Sequence, residues 1–307
     1  MRRILVTAVS GNIGYGILKI LQSEDHVLFG CDVNEIAAGM DLAEEFWQCK
    51  YAVDDGYIEE LLMRCKEHGI THLIPVNERE IERIGQERKK FEEIHVKVVI
   101  QTQKVLDICL DKYATARFLS EHGFDVPATY TDNTFKEAGK YILKPRKSNG
   151  SKNLVLLASK EEIPDQIEKD YILQEYIESE EEYTIGVFRH SQTINVIAFL
   201  RQLKDGYSSQ VELTEEKELI RIAERAAQAF DLEGYINIQL RKKDGKYYIF
   251  EINPRISGTV RFRHMLGYTD VWWWLDLLDG MEVASYQNRY KRAVGVRELN
   301  EKFLILE

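Results

Sequence analysis

The chain has 307 residues, 44% of them hydrophobic, which is enough for a globular protein with two or three sub-cores. The net charge of -10 argues against nucleic acid or an anionic membrane surface as the main partner. No apolar run approaches the ~20 residues of a membrane span, and the apolar stretch after Met1 is too short for a signal peptide.

Four cysteines lie in the first third of the chain and show no CxxC spacing: Cys31, Cys49, Cys65 and Cys109. This usage is typical of a reduced compartment, so we expect a cytoplasmic protein whose cysteines fill the core. A zinc site is the less favoured alternative.

The first hundred residues alternate between apolar strand runs and helical patterns. Strands are predicted at 3–8, 27–31, 71–76 and 96–100, and helices over a stretch ending at Leu21, over 55–68 and over 78–93. Such alternation predicts a parallel α/β domain over residues 1–100.

A glycine-containing turn, Val9 to Gly16, follows the first strand, and Asp32 ends the second. This arrangement resembles a Rossmann dinucleotide site, but the spacing is G-x-x-G-x-G instead of G-x-G-x-x-G. The same glycines bring a backbone close to any ligand or packed helix. A nicotinamide-dependent oxidoreductase is therefore kept as an alternative, although the later chain shows no hydride acceptor site.

Residue 111 is a predicted N-cap, because Asp111 precedes a helical pattern that ends at Gly123. A strand at 141–145 then leads into the polar, basic loop 146–153 and a strand at 154–157. Several cations and free backbone N–H groups in one turn predict a phosphate cover. The alternative is a solvated hairpin tip.

A helix is predicted over 160–169, followed by a strand over 171–177. The end of this strand offers backbone groups beside apolar side chains, as adenine sites do, and a carboxylate a few residues further on can take ribose hydroxyls. The acidic run there is otherwise a solvated turn. Further strands are predicted at 183–189 and 192–203, and a helix capped by Thr214 that runs to Phe230.

The segment Tyr235 to Gly258 contains two β-rich runs around a Lys243-Asp244-Gly245 turn. A loop of these three residues would place Asn237 opposite Glu251, and Gln239 opposite Ile249. One face of this hairpin is then apolar and belongs to the core: Ile236, Ile238, Leu240, Tyr248, Phe250 and Ile252.

The other face of the hairpin gathers oxygen donors: Asn237, Gln239, Glu251 and Asn253. Carboxylate and amide oxygens without nearby His or Cys suit Mg²⁺ or Mn²⁺. Arg255 lies just beyond and suits a phosphoryl oxygen. A solvated outer face is the alternative interpretation.

After the hairpin, Ser257 to Arg261 opens another helix. Arg261 and Arg263 are candidates for holding an anionic substrate such as a carboxylate, with surface arginines as the alternative. Trp272 to Trp274 is interpreted as core packing or a dimer surface. The tail from Arg292 contains a predicted last strand.

These motifs, in this order, resemble the ATP-grasp superfamily. They are Lys112, Lys144-Pro145, the Gly150-Ser151 loop, Gln174 to Ile177, Glu182-Tyr183-Thr184, Gln239 and Glu251 to Arg255. The Gln and Glu-x-Asn set resembles the synthetase domains of the carbamoyl-phosphate synthase large subunit. The resemblance covers roughly residues 1–280.

The resemblance implies an α/β chain with a parallel pre-ATP-grasp domain over 1–100 and a two-lobed ATP-grasp domain over 101–307. The lobe that covers the nucleotide would span about 126–178, and the metal-binding lobe about 179–307.

The resemblance also implies residue roles. ATP would be bound by Lys112, Lys144, Ser148, Gly150, Ser151, Glu175, Tyr176, Ile177 and Glu182. Mg²⁺ would be held by Gln239, Glu251 and Asn253. The candidate catalytic residues are Arg255, Lys144 and Arg201, and the candidate substrate residues are Ser10, Asn12, Glu78, Arg261 and Arg263.

The implied activity is that of an ATP-dependent ligase that joins a small-molecule carboxylate to an amine through an acyl phosphate. The alternatives are a small-molecule kinase and a nucleotide-binding regulatory protein. The default assembly is a homodimer.

Overall fold

The computed structural model describes residues 1–22, 25–132, 139–147 and 153–298, and they form three sheets. The first sheet is parallel, and the second and third are antiparallel. The predicted fold class, a parallel α/β unit followed by an ATP-grasp-like α+β part, is therefore confirmed.

The first sheet has the strand order β3-β2-β1-β4-β5. Its elements are β1 (Arg2–Thr7), α1 (Asn12–Leu21), β2 (His26–Asp32), β3 (Glu45–Gln48), α2 (Tyr57–Glu67), β4 (His72–Ile74), α3 (Glu78–Gln86), α4 (Arg88–Glu93) and β5 (Lys97–Val98). The central strands β1, β2 and β4 are buried along most of their length, so both faces at the centre of this sheet are covered, as is usual for parallel sheets.

The second sheet has the strand order β6-β9-β7-β8 and follows two helices. The elements are α5 (Gln103–Cys109), α6 (Lys112–Glu121), β6 (Thr129–Tyr130), β7 (Tyr141–Pro145), β8 (Val155–Leu157) and β9 (Tyr171–Glu175). The N-cap prediction is confirmed, because Asp111 accepts hydrogen bonds from the N–H groups of Tyr113 and Ala114.

The third sheet has the strand order β14-β13-β10-β11-β12-β15. Its elements are β10 (Glu182–His190), β11 (Thr193–Lys204), β12 (Tyr207–Thr214), α7 (Lys217–Ala229), β13 (Gly234–Lys243), β14 (Lys246–Asn253), α8 (Val260–Met265), α9 (Asp270–Leu278) and β15 (Val294–Val296). Within the described residues, no helix is both long and apolar enough to cross a bilayer.

A single hydrophobic core joins the first and third sheets. It contains Ile17 of α1, Phe188 of β10 and the buried side chains of Trp273 and Trp274. The other face of the third sheet packs on α7. Core packing of the tryptophans is thus confirmed. Because the first and third sheets share this core, the polar residues that they carry are held at defined positions relative to each other.

Three sequence-based element predictions are wrong. The segment 160–169 forms only a 3-10 turn at Lys160–Glu162, because Pro164 disfavours helical backbone at Ile163, which is extended. Residues 78–93 form two helices that are interrupted at Glu87. Thr214 ends a strand that the sequence did not predict, and Glu216 is the N-cap of α7.

An ion-pair cluster ties the end of α9 to the first sheet. Nε of Arg2 lies 2.7 Å from Oδ2 of Asp279, and Nε2 of His72 lies 3.1 Å from its Oδ1, which Lys97 also contacts. Partial burial alone would raise the pKa of Asp279, but the hydrogen bonds from Lys97 and Arg2 lower it to about 2.

We expect Asp279→Asn to lower the free energy of unfolding at pH 7 by about 1 kcal/mol, a value reduced for solvent screening. The folded-state pKa lies below that of an unfolded Asp, so this stabilisation is complete above about pH 4 and is lost as the pH falls toward 2. Urea unfolding at pH 7 and pH 3 measures it. The variant Asp205→Asn, on an exposed turn, serves as the control. An equal difference between wild type and Asp279→Asn at both pH values would contradict the electrostatic origin.

Candidate active site

The hairpin of β13 and β14 carries the predicted metal set, but its predicted register is wrong. Gln239 lies opposite Glu251, and Asn237 lies opposite Asn253. Directly opposed residues of an antiparallel pair have Cβ atoms about 5 Å apart on one face. The true register therefore brings the oxygen donors closer together than the predicted one.

Two local features cause the difference in register. The turn has two residues, Asp244 and Gly245, whose φ angles of 51° and 76° fit a two-residue hairpin loop. A β-bulge between Gln239 and Leu240 then shifts the pairing by one further residue. The core face of the hairpin consequently differs from the prediction: it is formed by Ile236, Ile238, Leu240, Tyr247, Ile249 and Ile252, without Tyr248 and Phe250.

The donor set fits a divalent cation. Oε1 of Gln239 accepts a hydrogen bond from Nη2 of Arg201 over 2.8 Å, so a cation bound by this oxygen would share it with the guanidinium or displace it. Among the described residues, no group of three or more His, Cys, Asp or Glu side chains could hold a metal. A cation here would depend on the amide oxygens of Gln239 and Asn253 together with the carboxylate of Glu251.

A cavity of about 140 Å³, which we call the lobe cavity, lies between the second and third sheets. The structure brings to it Lys112, Lys144, Glu175, Tyr176, Ile177, Glu182, Arg201, Gln239 and Glu251. Apolar side chains of Ile142, Leu154 and Phe250 complete its wall. A cavity that combines an apolar wall with a cluster of charged side chains suits a ligand with an apolar ring at one end and charge at the other.

Lys144 is buried in the wall of the lobe cavity, with only 7% of its surface exposed. Its Nζ donates to Oε1 of Gln174 over 2.8 Å. Burial lowers the pKa of Lys144 to about 8, although the charge of Glu251 opposes this shift. The ammonium is therefore poised to gain from an anionic ligand that shares the cavity.

The predicted phosphate cover, with Ser148, Gly150 and Ser151, lies outside the described residues. The residues before it are anchored. Nη2 of Arg146 lies 2.5 Å from Oδ2 of Asp111, and Nζ of Lys147 lies 2.6 Å from Oε1 of Glu82. The role of the cover residues stays a prediction.

A larger cavity of about 590 Å³, which we call the domain cavity, lies between the first domain and the hairpin. It is lined by the candidate substrate residues Ser10, Asn12 and Glu78 and by Arg201, Gln239, Glu251, Asn253 and Arg255. Arg201, Gln239 and Glu251 also line the lobe cavity, so the two cavities meet at these side chains.

Arg255 is held in the domain cavity by a carboxylate of the first domain. Its Nη2 and Nε lie 2.8 and 3.2 Å from Oε1 of Glu78. Burial raises the pKa of Glu78, and the charge of Arg255 opposes this shift. The contact holds the guanidinium in the domain cavity, whose lining also includes Glu251.

The two arginines of α8 do not line the domain cavity. Arg263 is fully buried, and its Nη2 lies 2.5 Å from Oδ2 of Asp270, so its prediction as a substrate residue is wrong. Arg261 is exposed and absent from the lining. Residues two apart on a helix face different sides, so one polar face could not have received both.

Two arginines that line the cavities were not predicted. Arg241 lies in the lobe cavity, and Arg297 lies in the domain cavity, where its Nη2 donates to the carbonyl of Gly258 over 2.7 Å. The alternation of Asn237, Gln239 and Arg241 along β13 could have indicated the first. Arg297 lies beyond the last motif, and no sequence signal marked it.

The glycine turn after β1 serves packing. A Cβ at Gly14 would lie 2.5 Å from the carbonyl oxygen of Ala8, so α1 needs glycine to approach β1. The carboxylate of Asp32 accepts hydrogen bonds from the N–H groups of Ser10 (2.8 Å) and Asn34 (3.0 Å). Asp32 is therefore engaged in holding the turn, which disfavours the interpretation as a dinucleotide site.

Comparison with known families matches both parts of the chain. Residues 109–259 match the family described as ATP-grasp domain, and residues 4–99 match the PylC-like, N-terminal domain. The protein is a member of the ATP-grasp superfamily. The resemblance inferred from the sequence motifs is confirmed.

This ATP-grasp chain is similar to two curated ligases over part of their length. It is 26% identical over 163 residues to D-alanine--D-alanine ligase of Fusobacterium nucleatum, covering 48% of this chain and 56% of the ligase. It is 21% identical over 201 residues to the carbamoyl phosphate synthase large chain of Pseudothermotoga lettingae, covering 57% and 18%. The chain thus spans less than two thirds of either relative.

The fold is similar to that of N5-carboxyaminoimidazole synthetase from Staphylococcus aureus, whose structure is complexed with ADP. The TM-score is 0.75 at 15% sequence identity, covering 97% of this chain and 82% of the other. At this identity the likeness shows the fold alone, and it extends through both the first domain and the ATP-grasp domain.

The pKa of Lys144 predicts a pH dependence for nucleotide binding. A phosphate group favours the ammonium form, so binding above pH 8 requires proton uptake. With a free-state pKa of about 8, we expect the Kd for Mg-ATP to rise about tenfold between pH 7 and pH 9. Calorimetry at both values measures it.

Lys144→Arg should flatten this pH profile, because a guanidinium stays charged at pH 9. The exposed Lys140, which pairs with Glu178, provides the matched control Lys140→Arg with an unchanged profile. An identical profile in wild type and Lys144→Arg would show that another group titrates.

Proposed function

We propose that this ATP-grasp protein is an ATP-dependent ligase that activates a small carboxylate as an acyl phosphate for attack by an amine. One observation carries the proposal: Gln239, Glu251 and Arg201 line both cavities. A nucleotide in the lobe cavity and an acceptor in the domain cavity would meet at these side chains. Phosphoryl transfer depends on such positioning and on charge neutralisation.

In the first step, an oxygen of the substrate carboxylate attacks the γ-phosphorus in line. The bond to the γ-phosphorus forms as the bond between that phosphorus and the β,γ-bridging oxygen breaks, and ADP leaves. Gln239, Glu251 and Asn253 would hold Mg²⁺, which when bound neutralises charge on the phosphoryl oxygens. Lys144 lines the lobe cavity and Arg255 lines the domain cavity, so the two cations would stabilise the transferred group from opposite sides.

In the second step, the amine attacks the acyl carbon, the bond from that carbon to the phosphate oxygen breaks, phosphate leaves, and the nitrogen loses a proton to the departing phosphate or to water. Glu78 lines the domain cavity close to Arg255, where it can orient an ammonium or amine group. Ser10 and Asn12 add neutral hydrogen-bonding groups from the first domain. This mixture of charges suits a substrate with both a carboxylate and an amine, such as an amino acid.

An amino-acid or peptide-type ligase is the proposal for the substrate class. Its support is the domain cavity's pairing of acidic and basic side chains and the similarity to D-alanine--D-alanine ligase. The domain bounds, a homodimeric assembly and a cytoplasmic location stay predictions. The assigned residue roles are part of the proposal.

We expect ADP and phosphate release from Mg-ATP to be stimulated by one carboxylate and one amine from pools of amino acids and small acids. Glu251→Gln removes the only carboxylate of the metal set and should lower this turnover at least a hundredfold. Coupled assays for ADP and for phosphate, run in parallel, measure both products.

The exposed Glu224 on α7 provides the matched control, and Glu224→Gln should keep wild-type turnover. ADP release without phosphate would indicate a kinase that retains the phosphoryl group on its product. Wild-type turnover by Glu251→Gln would contradict the assignment of the metal set.

A further inference from the structure

The side chain of Arg241 occupies one end of the lobe cavity. Its guanidinium carbon lies 4.9 Å from the ring centre of Tyr176 and 5.6 Å from that of Phe250. Its Nη1 donates to the carbonyl oxygen of Ile177 over 3.1 Å. Tyr176 and Ile177 are residues expected to contact the base of a nucleotide, so the guanidinium stands at the base end.

Arg241 also binds the carboxylate that is expected to hold the ribose. Its Nε and Nη2 lie 2.8 and 2.7 Å from Oε2 of Glu182. Nε and Nη2 of Arg201 lie 3.0 and 2.6 Å from Oε1 of the same residue. Glu182 is only 8% exposed, so these contacts are shielded from water.

A carboxylate has about four lone-pair sites, two on each oxygen. In this structure four guanidinium nitrogens lie within 3.0 Å of the two oxygens of Glu182. A ribose hydroxyl can therefore donate to Glu182 only if one arginine withdraws. Arg201 also donates a hydrogen bond to Gln239, a residue of the metal set. Within the described residues Arg241 has no such bond, so it is the arginine that can withdraw without disturbing the metal set.

The size of the lobe cavity leads to the same conclusion. Its volume of about 140 Å³ is small beside the roughly 300–1,000 Å³ of typical ligand sites. Arg241 lines the cavity and is itself only 21% exposed. Withdrawal of this side chain would enlarge the cavity where the two aromatic rings stand.

We propose that Arg241 sets the affinity of this protein for nucleotide by competing with the ribose and base for Glu182, Ile177 and the two rings. This inference rests on the proposed function in taking the lobe cavity as the nucleotide site. The nucleotide-free protein holds Arg241 against Glu182, and a nucleoside phosphate binds as the guanidinium leaves. The phosphate end, at Lys112 and Lys144, is not involved in this competition.

The test compares nucleotide binding by wild type and Arg241→Met. Methionine can pack between the two rings without donating to Glu182, which keeps its bond with Arg201. If the closed arrangement holds in about nine of ten free molecules, its removal tightens the apparent Kd for Mg-ATP about tenfold. Inorganic triphosphate, which has no base or ribose, should bind both proteins equally.

Arg189 supplies the matched control. It lies on the neighbouring strand β10 with a similar exposure of 20%, and it pairs with Asp231 away from both cavities. Arg189→Met should leave the Kd for Mg-ATP unchanged. Arg241→Lys keeps the charge but loses the planar fork, so it should tighten binding by a smaller factor and serves if the methionine variant does not fold.

Three results would overturn the inference. Weaker Mg-ATP binding by Arg241→Met would make Arg241 a nucleotide contact. Unchanged binding by both Arg241 variants would give it a structural role only. Tighter binding of inorganic triphosphate as well would place the competition at the phosphate end. If neither wild type nor any variant bound Mg-ATP, the proposed function would fail together with the inference; in the three preceding results the proposed function survives.

Discussion

The position of β13, between β10 and β14, is the constraint on which the rest of the structure depends. Its side chains alternate, so Ile236, Ile238 and Leu240 enter the core on α7 while the residues between them face the cavities. Burial of these three apolar side chains stabilises the fold by about 1.5–3 kcal/mol each. A shift of one residue would reverse both faces at once, so the packing that stabilises the sheet also fixes the site.

Most of the charges at the site are paired within the protein, and this pairing explains how several ionic groups share a small volume. The carboxylate of Glu182 binds two arginines, and that of Glu78 binds Arg255. An unpaired buried charge costs free energy. A ligand that displaces one member of such a pair must therefore supply a new partner for the charge that is left. Lys144 differs from these arginines, because burial lowers its pKa. A bound anion would stabilise its ammonium form.

The sequence predicted the composition of the site better than its geometry. Alternation along the hairpin identified Gln239, Glu251 and Asn253, because a pattern of period two does not depend on the partner strand. The register was missed for two reasons. The sequence Lys243-Asp244-Gly245 does not show whether the loop has two residues or three, and no residue type marks the bulge after Gln239.

Contacts between distant segments were beyond the sequence in principle. Asp270 forms an ion pair with Arg263 in the core, and Glu78 of the first domain forms one with Arg255. Neither pairing has a local signature, because each depends on how α8, α9 and α3 pack. The same holds for Arg241, whose face was predictable from alternation while its competition for Glu182 was not.

The central claim is that a substrate carboxylate attacks the γ-phosphate where the two cavities meet. The most direct test uses the carboxylate that stimulates ADP release, labelled with oxygen-18 in its carboxyl group, and follows the label by mass spectrometry. An acyl phosphate predicts that one labelled oxygen appears in each released phosphate, since the phosphate departs with the carboxyl oxygen that captured it. Release of unlabelled phosphate, with all the label retained in the organic product, would contradict the account.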